Sequence, residues 1–179
     1  MAAVLQFRLT QGGARGDSGD ASTAHSSPAS SLGGRMSAMA LSAVALNNLF
    51  DNISPAQAGT GVTEYRAIDI YNGGDAVATS IELWVSSDST HASTHIELAI
   101  ANSSTQNNHT LSTFLEKIAT EASTPAAPAC SFIDAGVGAK IAMADISSNY
   151  AARVWVKRIC WANANNLAND TATISIQYA

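Results

Sequence analysis

Alternation of apolar and polar side chains at a period of two is the dominant pattern along this chain. In Ser80 to Ser86, Ile81, Leu83 and Val85 share one side, with Glu82 and Trp84 on the other. In His95 to Ala101, Ile96, Leu98 and Ile100 alternate with His95, Glu97, Ala99 and Ala101. In Thr171 to Tyr178, Ala172, Ile174, Ile176 and Tyr178 alternate with Thr171, Thr173, Ser175 and Gln177. An extended chain points successive side chains to opposite faces, so these segments predict half-buried strands. Asn72-Gly73-Gly74-Asp75 separates Glu64–Tyr71 from Ala76–Ser87, and Gly and Asn accept the positive φ that tight turns demand. A polar run, 161–170, separates Ala151–Cys160 from the final strand. Helical signals are few: Leu111 to Ser123 fits one or two turns, and Met36 to Phe50 fits either a strand or a short helix. These elements predict a mainly β protein, an antiparallel β-sandwich of jelly-roll or Ig-like type with one or two short helices. There is no internal repeat.

Residues 11 to 35 are rich in Gly, Ser, Ala and Asp and nearly free of bulky apolar side chains. Such a stretch buries too little surface to offset its own ordering entropy. The expected organisation is therefore an extended N-terminal arm or loop over 1–36 and a single sandwich domain over 37–179. An arm of this kind docks by adding to a neighbour's sheet edge or filling its grooves, losing entropy only on assembly. A chain lacking residues 1 to 35 is then expected to stay folded and soluble while losing its attachment.

Composition narrows the partners. The 179 residues are 46% hydrophobic but only 13% charged, with a formal net charge of -5. That charged fraction is about half the usual ~25%, which predicts a neutral, polar surface. Nucleic-acid binding, which needs a basic excess to neutralise phosphates, is not expected, and plentiful apolar residues argue against disorder throughout. The first ten residues lack the basic start and long apolar stretch of a secretion signal. No run of about 18 apolar residues predicts a membrane span. Cys130 and Cys160 do not make a disulfide framework and are read as reduced and buried. The sequons at Asn52, Asn102, Asn108 and Asn169 carry little weight without secretion.

The order of segments is itself informative. An opening strand with FRLTQGGA is followed by SSLGGRMS, NNLFDNIS, GTGVTEYRAIDIYNGG and a strand ending IELWVSS, then RVWVKR and, after a polar loop, NDTATISIQ. This series is similar to a family of small virion structural proteins of tailed bacteriophages. Glu64-Tyr65-Arg66 through Asn72 is its most specific piece, and roughly 103 to 150 lies outside it. The resemblance implies a β-sandwich subunit present in many copies in a phage particle, assembled in the bacterial cytoplasm. A capsid decoration (cement) protein is the expected role, with a neck, collar or tail position as the alternative. The implied partners are the major capsid protein or neck and tail proteins of the same virion, and further copies of the chain.

Six residues are interface candidates. Trp84 falls opposite Ile81, Leu83 and Val85, and Trp155 falls opposite Val154 and Val156, beside Arg153 and Lys157. Trp and Arg are enriched where proteins meet. Phe7 and Arg8 of the opening segment complete the set. The competing reading covers both faces of these strands within one sandwich. Arg153, Lys157 and Arg158 serve either an acidic partner or ordinary ion pairs.

Several motifs invite an enzymatic reading and fail. Gly16-Asp17-Ser18-Gly19 resembles the nucleophile stretch of trypsin-like proteases, but no His precedes Ser18. Arg15-Gly16-Asp17 is a tripeptide that Gly-rich loops produce by chance. His91, His95 and Glu97 share parity, and neighbours of one parity lie about 7 Å apart, so His95 and Glu97 are a candidate metal pair. Solvated outward positions explain them equally well. Asp69 with Glu97, or Glu116 with Glu121, has the residue types for paired-carboxylate hydrolysis, with nothing in the spacing to favour it. There is no phosphate loop, CxxC or HExxH. No catalytic, cofactor-binding or metal-binding residue is assigned and no enzyme is expected. A carbohydrate-binding sandwich using Trp84, Trp155 and Trp161 as sugar platforms is the alternative from another class.

Overall fold

Eight strands and one short helix follow one another among the described residues. They are β1 (Leu5–Thr10), β2 (Met36–Ala40), α1 (Pro55–Thr60), β3 (Val62–Asn72), β4 (Glu82–Ser87), β5 (Thr94–Ile100), β6 (Ile141–Ala142), β7 (Ala151–Cys160) and β8 (Thr173–Gln177). This computed structural model describes residues 2–10, 31–41, 48–89, 92–101, 108–113, 115–125, 130–164 and 171–179. β3 is buried along almost its whole length, and a strand buried on both faces belongs in the middle of a sheet. It pairs antiparallel with β1 on one side and β7 on the other, in a five-stranded sheet of order β2-β1-β3-β7-β5. The second sheet has order β6-β4-β8, again antiparallel. The expected mainly β, antiparallel sandwich is what forms.

Parity decides what each face meets. Ile68 and Ile70 of β3, Val154 and Val156 of β7, and Leu98 of β5 turn toward the second sheet. There they pack with Ile81, Leu83 and Val85 in one buried cluster, with Ile174 and Ile176 partly buried against it. At roughly 25 cal/mol per Å2 of apolar surface buried, this layer is the main source of stability. The alternations read from the sequence for β4, β5 and β8 are the ones that fill it.

The opposite face of the five-stranded sheet is also covered. Tyr65, Ala67, Ala99, Ala101 and Trp155 pack with Ile118, Leu32, Cys130 and Phe132. The cover comes from irregular segments joined to the sheet by isolated bridges at His109–Ala151 and Leu98–Ile133, and to each other at Gly33–Lys117. Gly33 sits at φ +99, where a Cβ would lie 2.1 Å from the Glu116 carbonyl oxygen. The molecule therefore has three layers, one of them without periodic structure.

Three sequence expectations change. First, the segment expected as an arm over 1–36 is part of the fold at both of its described ends. β1 runs in register with β3 from Leu5–Asn72 to Leu9–Ile68, and Leu9 is buried in the core. Ser31 Oγ donates to the Ala67 carbonyl at 2.5 Å and accepts from the Thr10 N–H at 3.1 Å. The middle of the expected arm, residues 11–30, lies outside the described residues.

Second, the helix lies elsewhere. Met36–Ala40 is strand β2, and the described part of 111–123 has turns and bridges but no helix. Instead α1 starts at Ser54, whose side chain accepts from the Gln57 N–H while Gln57 Oε1 accepts from the Ser54 N–H. Ser-Pro-x-Gln followed by Gly61 is a capping box with Pro in the first turn and a Gly stop.

Third, the Asn72–Asp75 turn crosses between sheets, and its glycines do not need positive φ. Gly74 is required for space, because a Cβ there would lie 2.3 Å from the Ala2 carbonyl oxygen. The buried Asn72 amide accepts from Val4 N–H (3.2 Å) and Gly74 N–H (3.0 Å), and donates to the carbonyls of Ala76 (2.8 Å) and Ile146 (2.9 Å). Both donors and both lone pairs are used.

Candidate functional site

Three clusters of ionisable side chains stand out. The first follows from strand register, which sets Asp69 of β3 directly opposite Arg153 of β7 on the covered face. Arg153 donates from Nε to Asp69 Oδ1 at 2.6 Å and from Nη2 to Oδ2 at 3.0 Å, a bidentate pair with both side chains fully buried. The same guanidinium donates to the carbonyls of Gly34 (3.0 Å) and Glu116 (3.4 Å) in the cover. His109 Nε2 lies 3.3 Å from Asp69 Oδ1. Burial by itself pushes the Asp69 carboxyl up; the Arg153 charge and His109 outweigh it and hold it below the usual carboxylate range. The arrangement is an ion pair fixing the cover to the sheet, not an acid or base open to a substrate.

The second cluster lies at the other end of β3. One carboxylate oxygen from each of Asp51, Glu64 and Glu121 falls within 4.8 Å of the others. Two guanidinium groups already neutralise them. Arg158 donates from Nε to Glu64 at 2.9 Å and also from Nη2 to the same carboxylate. Arg66 donates to Glu121 at 2.7 Å and to Asp51 at 3.5 Å. Both guanidinium groups lie over the Phe50 ring, at 5.1 Å for Arg66 and 4.6 Å for Arg158. The donors a metal would need are already engaged by cations of the chain.

The third cluster surrounds His95. Its Nδ1 lies 2.5 Å from Asp88 and its Nε2 3.7 Å from Asp134, and its ring stacks at 13° on the exposed Trp161. Glu97 bonds Lys157 at 2.8 Å instead of turning to a shared ion. The expected pairing of His95 with Glu97 is not assembled, and His91 lies outside the described residues. The carboxylate pairs also fail to form. Asp69 is committed to Arg153, Glu97 to Lys157 and Glu121 to Arg66.

The interface candidates separate into two groups. Trp84 projects from the outer face of the three-stranded sheet, half-buried under Lys140, whose Nζ is 4.5 Å from the ring centroid. Arg8 lies over Tyr71 at 3.7 Å, Lys157 bonds Glu97 at 2.8 Å, and Phe7 is partly buried between the sheets. Arg153 and Trp155 are fully buried in the chain itself, which corrects their reading as interface residues. The physical reason is the cover: period two reveals that a strand has two faces, not which of them water reaches. Trp155 is held by packing, since its indole N–H has no hydrogen-bond acceptor among the described residues. A platform of Trp84, Trp155 and Trp161 is likewise not assembled, because Trp155 is interior and Lys140 occupies a face of Trp84.

Sequence reasoning missed the two arginine networks. Their signal was a charged residue inside an apolar alternation, Asp69 between Ile68 and Ile70 and Arg153 between Ala152 and Val154, in a chain with few charges. Neither cysteine is in a disulfide. Cys160 is buried; Cys130 is half-buried, and burial with the nearby Glu116 charge pushes its thiol up to about 11. Alkylation of Cys130 at pH 8 should therefore run at least about 100-fold slower in the folded protein than in urea. Site-resolved mass spectrometry after iodoacetamide measures this, and equal rates would contradict the placement.

Comparison with family models, curated proteins and solved structures finds no match to this chain.

Proposed function

We propose that this chain is a non-enzymatic structural subunit of a tailed-phage particle, a capsid decoration protein that bridges neighbouring shell subunits. One observation carries the reading. The segment most specific to the resemblance, Glu64 through Asn72, is the central strand β3, and its polar residues serve the fold. Glu64 pairs with Arg158, Arg66 with Glu121, Asp69 with Arg153, and Asn72 makes four hydrogen bonds within the chain. A motif whose charges are consumed internally is what a scaffold strand needs, and it supports a structural role. Low charge outside supports the same reading, since a neutral polar surface packs against neighbours with little desolvation cost. Repetition around a shell turns modest contacts into strength.

The test is the protein's copy number in purified particles of the encoding phage, by quantitative mass spectrometry against the major capsid protein. Hundreds of copies are expected for decoration. A dozen or so would move the subunit to the neck, collar or tail, and absence from particles would overturn the reading.

A further inference from the structure

Among the described residues, β8 is bonded along one side only, to β4. Strand parity identifies the groups on its other side. On β4 the Val85 N–H donates to the Ala135 carbonyl at 2.6 Å, and just before it the Ile81 carbonyl accepts from the Met143 N–H at 2.9 Å. Odd positions of this segment therefore bond away from β8, and Glu82 and Trp84 bond toward it. Their register partners are Gln177 and Ser175. Antiparallel ladders alternate, so the N–H and C=O groups of Ile174 and Ile176 point outward from the sheet.

Exposed edges are normally guarded by a charge, a proline or a bulge. TATISIQYA, residues 171–179, contains no charged residue, proline or glycine, and the bulge of this pair falls on β4, at Ser86. Just past the strand, Tyr178 is exposed and its Oη accepts from the N–H of Leu5 at 3.4 Å.

We propose that β8 is the seam of a homodimer, paired antiparallel with β8 of a second copy about a two-fold axis through Ser175. A second copy fits because an antiparallel strand edge is complementary to itself: each outward N–H meets a C=O, and each C=O an N–H. No side chain of the segment is charged, so the side chains of two copies meet without repulsion. The register that overlaps all five residues sets Ile174 opposite Ile176 of the partner subunit. Those side chains lie on the inner face, so the apolar layer continues across the seam and the two three-stranded sheets become one of six. Ser175 meets its own copy on the outer face. This inference stands apart from the particle reading and is tested on the purified chain alone.

Sedimentation equilibrium of the full chain should show a dimer. Ser175→Lys and Ser175→Glu each place like charges face to face on the axis and should raise the dimer dissociation constant roughly fivefold or more. An equimolar mixture of the two variants should recover association as a heterodimer, and Ser175→Ala should associate like the wild type. Circular dichroism confirms that each variant is folded. A monomeric wild type, charged variants that dimerise normally, or a mixture that does not recover would each overturn the proposal.

Discussion

A chain lacking Met1–Thr10 is expected to be unfolded and insoluble. β1 lies between β2 and β3, so its loss strips the ladder from Leu5–Asn72 to Leu9–Ile68 and detaches β2. It also removes buried Leu9 and partly buried Phe7 from the core beside Ile68 and Ile70. Thr10 goes too, and with it the bonds that hold Ser31 and Gly33 in the cover. Total stability of a domain is about 5–15 kcal/mol, and losing an interior strand of a five-stranded sheet exceeds that margin. The measurement is soluble yield and far-ultraviolet circular dichroism of the truncated chain. A soluble product with the wild-type spectrum and melting temperature would show that β1 is dispensable and restore the arm reading.

Arg153→Met should destabilise the protein by about 3–5 kcal/mol, because it leaves the Asp69 carboxylate buried without its bidentate partner. The double change Asp69→Leu with Arg153→Met should recover much of that loss, since apolar replacement of a whole buried pair is often neutral or better. The pair also has a pH signature. The Asp69 carboxyl is held below its ordinary value, burial opposing and Arg153 and His109 prevailing. Its contribution is therefore fully present above the unfolded carboxylate pKa, near ~3.9, and is lost as pH falls through the lower folded value. Urea unfolding should show a large gap between wild type and Arg153→Met at pH 7 that narrows as the pH falls through the carboxylate range, beginning above the ordinary value because burial raises Asp69 in the variant. A gap independent of pH, or smaller than about 1 kcal/mol at pH 7, would remove the ion pair from the account.

The sandwich was legible because its core strands alternate. Ile81, Leu83 and Val85, then Ile96 and Leu98, then Ile174 and Ile176, announce both the strands and the side that is buried. Helix α1 was legible in principle from its capping residues Ser54, Pro55, Gln57 and Gly61, but six residues are too few to show a helical period. The cover was not legible. It has no period, and what it hides can be recognised only once β3 and β7 are in register. Trp155 and Arg153 were misread for that reason. The opening strand was legible in its own alternation, but the Gly- and Ser-rich run that follows it led the whole of 1–36 to be assigned to an arm instead of the core sheet. Of the candidate sites, the sequence pointed to His95 and Glu97 as one cluster; cross-strand pairing with Lys157, invisible to local spacing, divides them.

The Arg153 guanidinium holds carbonyls of Gly34 and Glu116 as well as Asp69. Lifting the irregular layer would give up those two carbonyl bonds and open the buried Asp69–Arg153 pair to water. Opening of the coil is thereby coupled to the central strands, and the amides of Gly34 and Ile118, bonded to Glu116 and Leu32 in that layer, are expected to exchange far more slowly than those of free loops.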